Sequence, residues 1–127
     1  DKLLERRKSI YLIYNSFFKK KKWAHVPKFD SHIEASYHLY PLGVKVTEPE
    51  RDSIINFAAS QGVSVNVHFQ PLPLLTYFKG MKNIHSFENA LKIYRQEISL
   101  PIYPQLTDEQ AYFVCKTIES GYKSVKI

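Results

Sequence analysis

The stretch TEPERDSIINFAASQGVSVNVH, residues 47–68, joins a helix pattern directly to a strand pattern. Thr47, with Glu50 at the third helical position, forms a capping box, which is typical of a helix N-terminus. Gly62 suits the left-handed position that ends a helix. The apolar face of this predicted helix consists of Ile54, Phe57 and Ala58. Valines then alternate with polar residues over positions 63–68, which predicts a half-buried strand.

Upstream of this stretch, the sequence predicts one long helix and one broken strand. Residues 2–18 form the helix, because their apolar residues recur at steps of three and four. These residues are Leu3, Ile10, Ile13, Tyr14 and Phe17. A basic run at 19–22 and an irregular link follow. Residues 36–46 are predicted to form a strand that bulges or breaks at Pro41 and Gly43, since proline cannot donate to a ladder.

Downstream, a long loop separates two further helices. The loop covers residues 69–85, and a loop of this length inside a small domain is often functional. The next helix is predicted for residues 86–98, with a buried stripe of Phe87, Ala90, Leu91, Tyr94 and Ile98. Residues 100–103 form a short extended piece. A second capping box at 107–110 begins the last helix, which is expected to end at Gly121 and to bury Ala111, Val114, Cys115 and Ile118.

This order of elements predicts a small sheet covered by helices, which is an α/β or α+β sandwich. The 127 residues suit one domain with one modest core, and 44% hydrophobic against 24% charged residues fits a soluble globular chain. The chain lacks an apolar run long enough for a membrane span. Its charged opening, residues 1–8, is unlike a signal peptide, and the absence of an initiator Met suggests a start inside a longer protein.

Charge and cysteine content narrow the partners and the compartment. Cys115 is the single cysteine, so an internal disulfide is impossible and a cytoplasmic location is expected. The net charge of +6 comes from 18 basic and 12 acidic residues. Such an excess favours an anionic partner only when the basic residues cluster, and here they are dispersed except at 19–22 beside Trp23. We therefore expect no nucleic-acid partner. The excess of positive charge is what we expect of a piece that has been separated from an acidic domain.

Three stretches, in this order along the chain, resemble one family. They are SYHLYPL at 36–42, GVSVNVHFQPL at 62–72 and SLPIYPQLTDEQ at 99–110. Together with the ERR opening at residues 5–7, they are similar to the C-terminal region of the DegT/StrS family of sugar aminotransferases. The resemblance covers nearly the whole chain. It implies the small domain of a fold-type-I aminotransferase, with a mostly antiparallel sheet covered by about four helices.

The resemblance also implies a function for the longer protein. Family members are dimers that use pyridoxal phosphate to move an amino group, usually from glutamate, onto a keto group of a nucleotide-linked sugar. Residues 1–22 correspond to a linker helix, and residues 68–85 to a loop bordering the substrate cleft. Substrate contacts are accordingly expected from His68, Phe69, Gln70, Leu72, Tyr77, His38 and Tyr40. Pro73 stands where the family commonly has a second histidine, so that histidine's contact is not carried over.

The residues themselves do not predict catalysis by this chain alone. Pyridoxal chemistry needs a Schiff-base lysine, an acid for the pyridine nitrogen and a phosphate cradle. The lysines have no distinctive setting, the glycines are scattered, and the aspartates lie at the terminus, in a link or at helix starts. The cofactor is therefore expected on a separate large domain of the same protein. The five histidines show no metal-ligand spacing, which predicts no metal site.

Other interpretations of the same residues stay open at this point. His68 could be a polar strand-end residue, His38 and Tyr40 could pack under the large domain, and the loop could pack on its own apolar residues. Cys115 fits a buried, inert thiol. The chain could also be an independent basic module for nucleic acid or an acidic protein, or a non-catalytic subunit that pairs with a partner chain.

Overall fold

The computed structural model describes residues 1–80 and 84–126. This part of the chain contains four α-helices and a three-stranded sheet. In chain order they are α1 Lys2–Phe18, β1 Ala24–His25, β2 Tyr40–Val44, α2 Glu48–Ser60, α3 Glu88–Gln96, β3 Glu97–Leu100 and α4 Asp108–Val125. The predicted α+β class, with a small antiparallel sheet covered by helices, is confirmed. No helix among these residues is long and apolar enough to cross a bilayer.

The sheet has the order β1-β2-β3, and both of its pairings are antiparallel. β2 begins at Tyr40, later than predicted, and runs without a break. Its burial alternates because Tyr40, Leu42 and Val44 face the core. Pro41 fits inside this strand because β1 pairs only with Gly43 and Val44, which leaves Pro41 with a neighbouring strand on one side.

The prediction of a strand at residues 63–68 is wrong, although the predicted alternation between buried and exposed side chains is partly correct. Val63 is buried, and Val65 and Val67 are half-buried. Only Asn66 pairs with β3, in an isolated antiparallel bridge to Ser99. The alternation of valines therefore records contact with the core, while the chain meets the outer edge of β3 at a single residue.

The predicted third helix ends earlier than expected because its last turn is a strand. α3 stops at Gln96, and Glu97–Leu100 is β3, all four residues of which are buried. Leu91 is the buried residue of α3, whereas Ala90 is exposed. Ile98, predicted on the helix stripe, instead lies in the centre of the sheet, where it pairs with Leu42.

The core lies between the sheet and the helices α1, α2 and α4. α4 buries the four predicted residues but does not end at Gly121, which lies inside it. A Cβ on Gly121 would come within 3.2 Å of both Ile54 and Phe57, so glycine there lets α2 pack closely against α4. On α1, Leu3 belongs to the apolar repeat but is 54% exposed. The buried residues of α1 are Ile10, Tyr11, Tyr14 and Phe18.

Candidate functional site

The predicted cleft loop leaves the sheet at the outer edge of β3. Asn66 and Ser99 exchange two backbone hydrogen bonds, of 3.2 Å and 2.7 Å. Two residues further on, the backbone N–H of His68 donates to Oε2 of Glu97 at 3.0 Å. The start of the loop is therefore attached to β3 by a backbone bridge and by one carboxylate.

Glu97 is an acidic side chain inside the core, at only 4% exposure. Its Oε1 accepts a hydrogen bond from the Ser99 hydroxyl, and its Oε2 accepts the His68 bond. Burial raises the pKa of Glu97, and the donors on Ser99 and His68 oppose that rise. A buried carboxylate that accepts hydrogen bonds at both oxygens is a fixed acceptor at the base of the loop.

On the helix side, a basic side chain whose charge acts on Glu97 is Arg51 of α2, which is also buried. Its Nη1 donates to the Tyr94 carbonyl oxygen at 2.7 Å, and its Nε donates to Asp52 Oδ1 at 2.7 Å. Its guanidinium also lies over the Tyr94 ring, 5.1 Å from the ring centre. Arg51 therefore joins α2 to α3 and lowers the pKa of Glu97 through its charge alone.

His68 itself is half-buried and has one unused polar atom. Its Nδ1 is shielded from solvent and has no hydrogen-bond partner among the described residues. Its ring meets the Phe69 ring edge to face at 4.8 Å. The imidazole thus has hydrogen-bonding capacity that contacts within this part of the chain do not satisfy.

Beyond His68 the loop forms two tight 3₁₀ turns, Leu72–Leu74 and Thr76–Phe78. The loop exposes large apolar side chains both before and within these turns: Phe69 is 74% exposed, Leu72 61% and Tyr77 77%. Gln70 is also exposed, and its amide lies 3.5 Å from the Leu74 carbonyl oxygen. The loop is predicted to extend to 85, and residues 81–83 of that span lie outside the described residues.

The two upstream residues predicted to contact substrate lie in different environments. His38 is exposed, precedes β2 and shares a hydrogen bond of 2.6 Å with the Ser36 hydroxyl. Tyr40 is fully buried, and its hydroxyl donates to Asn15 Oδ1 at 2.8 Å. A side chain so enclosed packs the core and does not reach a ligand at the surface, so Tyr40 is not part of the candidate site.

The described residues do not fit a pyridoxal phosphate site. A Schiff-base lysine needs an enclosed pocket that lowers its pKa. Each described lysine is exposed except Lys21, which is partly buried and forms an ion pair with Glu119 at 2.5 Å. The same residues contain no group of histidine, cysteine or acidic side chains that could hold a metal ion.

Comparison with known proteins gives the family. Residues 1–119 match the DegT/DnrJ/EryC1/StrS aminotransferase family. The chain belongs to this family. Its members in the curated set include a UDP-4-amino-4,6-dideoxy-N-acetyl-beta-L-altrosamine transaminase of Campylobacter jejuni, 27% identical over 99% of this chain and 34% of that protein. An uncharacterized protein of Methanocaldococcus jannaschii is 33% identical over 91% of this chain and 31% of its own length.

Solved structures of the aminotransferase family share the fold of this chain. A Streptococcus pneumoniae protein assigned as a sugar aminotransferase, in its PLP-form, superposes with a TM-score of 0.90 at 33% identity and covers 97% of this chain. Helicobacter pylori PseC, at 22% identity, shares the fold with a TM-score of 0.84. The chain spans about a third of the length of these relatives.

Sequence reasoning missed the two residues that attach the loop to β3, Glu97 and Ser99, and the buried Arg51 that joins α2 to α3. The sequence did carry a signal for Glu97, because this acidic residue begins the short run 97–100, which contains the apolar residues Ile98 and Leu100 and is buried throughout. The prediction that the third helix extends to Ile98 obscured this signal, because helical spacing assigns Glu97 to an exposed face. Arg51 gave no signal, since a charged residue in a first helical turn is normally solvated.

Proposed function

We propose that this chain is the C-terminal small domain of a pyridoxal-phosphate-dependent aminotransferase. The full protein would transfer an amino group, with glutamate as donor, to a keto group of a nucleotide-linked sugar. Family membership over residues 1–119 supports the aminotransferase class, and the relatives named above support a sugar substrate. The cofactor would be held by a large domain of the same protein, and the protein would act as a cytoplasmic homodimer.

Within that protein, the role proposed for this chain is to border the cleft with the loop that begins at His68. The observation that carries this role is a tightly attached loop with a solvent-facing apolar surface. The loop is fixed to β3 at Asn66 and Glu97, yet Phe69, Leu72 and Tyr77 are mostly exposed. Rigid attachment with exposed aromatic side chains is the arrangement expected of a binding surface.

Each contact residue has a proposed task that its placement allows. His68 is half-buried at the start of the loop, and its imidazole, which has a second ring nitrogen besides the shielded Nδ1, would bind a hydroxyl or phosphate oxygen of the substrate. Gln70 is exposed and offers both a donor and an acceptor. The apolar side chains of Phe69, Leu72 and Tyr77 would cover a sugar or base face and exclude water. His38 is exposed and would contribute from the irregular segment that precedes β2.

Steady-state kinetics of the full-length protein test this role. We expect Tyr77→Ala and His68→Ala to lower kcat/KM for the nucleotide-sugar by about tenfold, because lost contacts misplace the keto group. Turnover of the amino donor in its own half-reaction should be unchanged, since that donor is small and does not need the loop. Tyr112→Ala, which removes a tyrosine that is 51% exposed on α4, is the matched control. Equal losses in both half-reactions would contradict a substrate-contact role.

The alternative of a stand-alone basic module is not favoured by the structure. Lys21, inside the basic run, is neutralised by Glu119, and its ammonium lies 4.8 Å from the centre of the Phe17 ring. Membership of an aminotransferase family accounts for the chain without an anionic polymer as partner.

A further inference from the structure

The buried acid at the base of the loop has no assigned task. Glu97 is not among the exposed residues that are proposed to contact substrate. An acidic side chain at 4% exposure is costly to bury unless it is hydrogen-bonded. A leucine or valine would complete the apolar run of β3 at lower cost. Its presence at this position therefore points to something that the carboxylate holds.

The bonds of Glu97 show what it holds. One oxygen accepts from Ser99, two residues away on the same strand, and the other accepts from the backbone N–H of His68, 29 residues earlier in the chain. The second bond is the only one of the pair that joins separate segments. Because it is made to a backbone N–H, it fixes the position of the chain at the first residue of the loop.

The backbone bridge next to this bond cannot replace it. Asn66 pairs with Ser99, but the Val67 N–H donates to Oδ1 of the Asn66 side chain at 2.8 Å and not to β3. Among the described residues, the bond from His68 to Glu97 is thus the last hydrogen bond that attaches the chain to β3 before the two 3₁₀ turns begin. The direction in which the loop leaves the sheet depends on it.

We propose that Glu97 is a positioning residue for the cleft loop: its carboxylate holds the His68 amide and thereby sets where the exposed side chains of the loop lie. The proposal rests on the proposed function only in naming the loop as a cleft border. A carboxylate is a stronger acceptor for an N–H than a neutral carboxyl group, so the hold depends on the ionisation of Glu97.

The charged groups around Glu97 determine how that ionisation behaves. Arg51 on the α2 side and His68 on the loop side favour the charged form, and the Ser99 hydroxyl stabilises it by donation. Burial acts in the opposite direction and is the larger effect, so the pKa of Glu97 is raised. The loop position is accordingly expected to change with pH above the range in which exposed glutamates titrate.

Amide NMR of the 127-residue chain tests the hold directly. In the wild type we expect the His68 amide proton to move downfield as pH rises, with a midpoint above 4.5, the ordinary glutamate value. Glu97→Gln should abolish this step. Ser99→Ala removes one donor to the carboxylate and should move the midpoint higher. Glu34→Gln, which changes an exposed carboxylate in the same way, should leave the step unchanged.

Two outcomes would overturn the proposal. One is a His68 amide that does not respond between pH 4 and 8, a range of about four units that extends upward from the ordinary glutamate pKa. The other is the same response in Glu97→Gln. Kinetics of the full-length protein then separate it from the proposed function. If Glu97→Gln removes the NMR step and lowers kcat/KM for the nucleotide-sugar by about tenfold, both stand. If Glu97→Gln loses the NMR step and neither Glu97→Gln nor His68→Ala changes kcat/KM, Glu97 positions the loop but the loop does not border the cleft. If His68→Ala lowers kcat/KM while Glu97→Gln retains the NMR step, the cleft role stands and the positioning role is overturned.

Discussion

The scaffold and the loop that begins at His68 use the same kinds of side chain in opposite ways. In β2, Leu42 and Tyr40 are both fully buried, whereas in the loop Leu72 is 61% exposed and Tyr77 is 77% exposed. The scaffold residues are explained by the folding of this chain, since its own helices and strands cover them. The exposed leucine and tyrosine contribute little to that folding, so their presence is better explained by something they bind.

The leucine pair gives the largest expected effect. Leu42→Ala should lower the free energy of unfolding by about 2–5 kcal/mol, because it leaves a cavity beside Ile98 in the centre of the sheet. Leu72→Ala removes the same atoms from a solvated position and should change stability by no more than about 0.5 kcal/mol. Urea denaturation followed by circular dichroism measures both. A large loss in Leu72→Ala would show that the loop is part of the core and would remove the contrast.

The tyrosine pair tests the same contrast through single hydroxyl groups. Tyr40→Phe removes the donor to Asn15 Oδ1 and leaves that oxygen without this partner inside the protein, at a cost of about 1 kcal/mol. Tyr77→Phe removes a solvent-facing hydroxyl and should be neutral for stability. Thermal unfolding of the two variants measures the difference. Equal melting temperatures would mean that water replaces the Tyr40 bond, which its full burial argues against.

Sequence patterns located the scaffold well because each pattern records one partner surface. Both capping boxes form at the predicted residues, Thr47 with Glu50 and Thr107 with Gln110. α1 begins and ends as predicted. The errors came where partners lie far away in sequence. Gly121 looks like a helix end, and only the approach of α2 explains a glycine inside α4.

The candidate site was only partly accessible to such reasoning. The family resemblance located His68 and the loop, and alternation along the chain could not reveal that residues 63–68 form a single bridge. The hold on the loop depends on Glu97, which is 29 residues away from His68, and local periodicity carries no information about such a pair. The resemblance implied contacts from both Tyr40 and His38, although Tyr40 is in the core and His38 is in solvent.

Two carboxylates, one on each side of the contrast, give the smallest and most specific effect. Glu50 on α2 accepts hydrogen bonds from Lys126 at 2.8 Å and from the Thr47 N–H at 2.7 Å, and these lower its pKa to about 2. Its contribution to stability is therefore present above 4.5 and is lost as pH falls toward 2. Glu97 has a raised pKa, so its contribution is present below 4.5 and is lost as pH rises through its folded value.

Stability measured against pH should consequently separate the two variants by sign. As pH falls from 6 to 3, a window of about three units around the glutamate value, Glu50→Gln should lose less stability than the wild type, because it has no carboxylate to protonate at that cap. Over the same fall, the wild type should gain relative to Glu97→Gln, because the buried Glu97 takes up its proton more readily than an unfolded glutamate does. Urea midpoints at several pH values measure both slopes. If the two slopes had the same sign, burial would not dominate at Glu97, and the buried acid under the loop would behave like an ordinary surface cap.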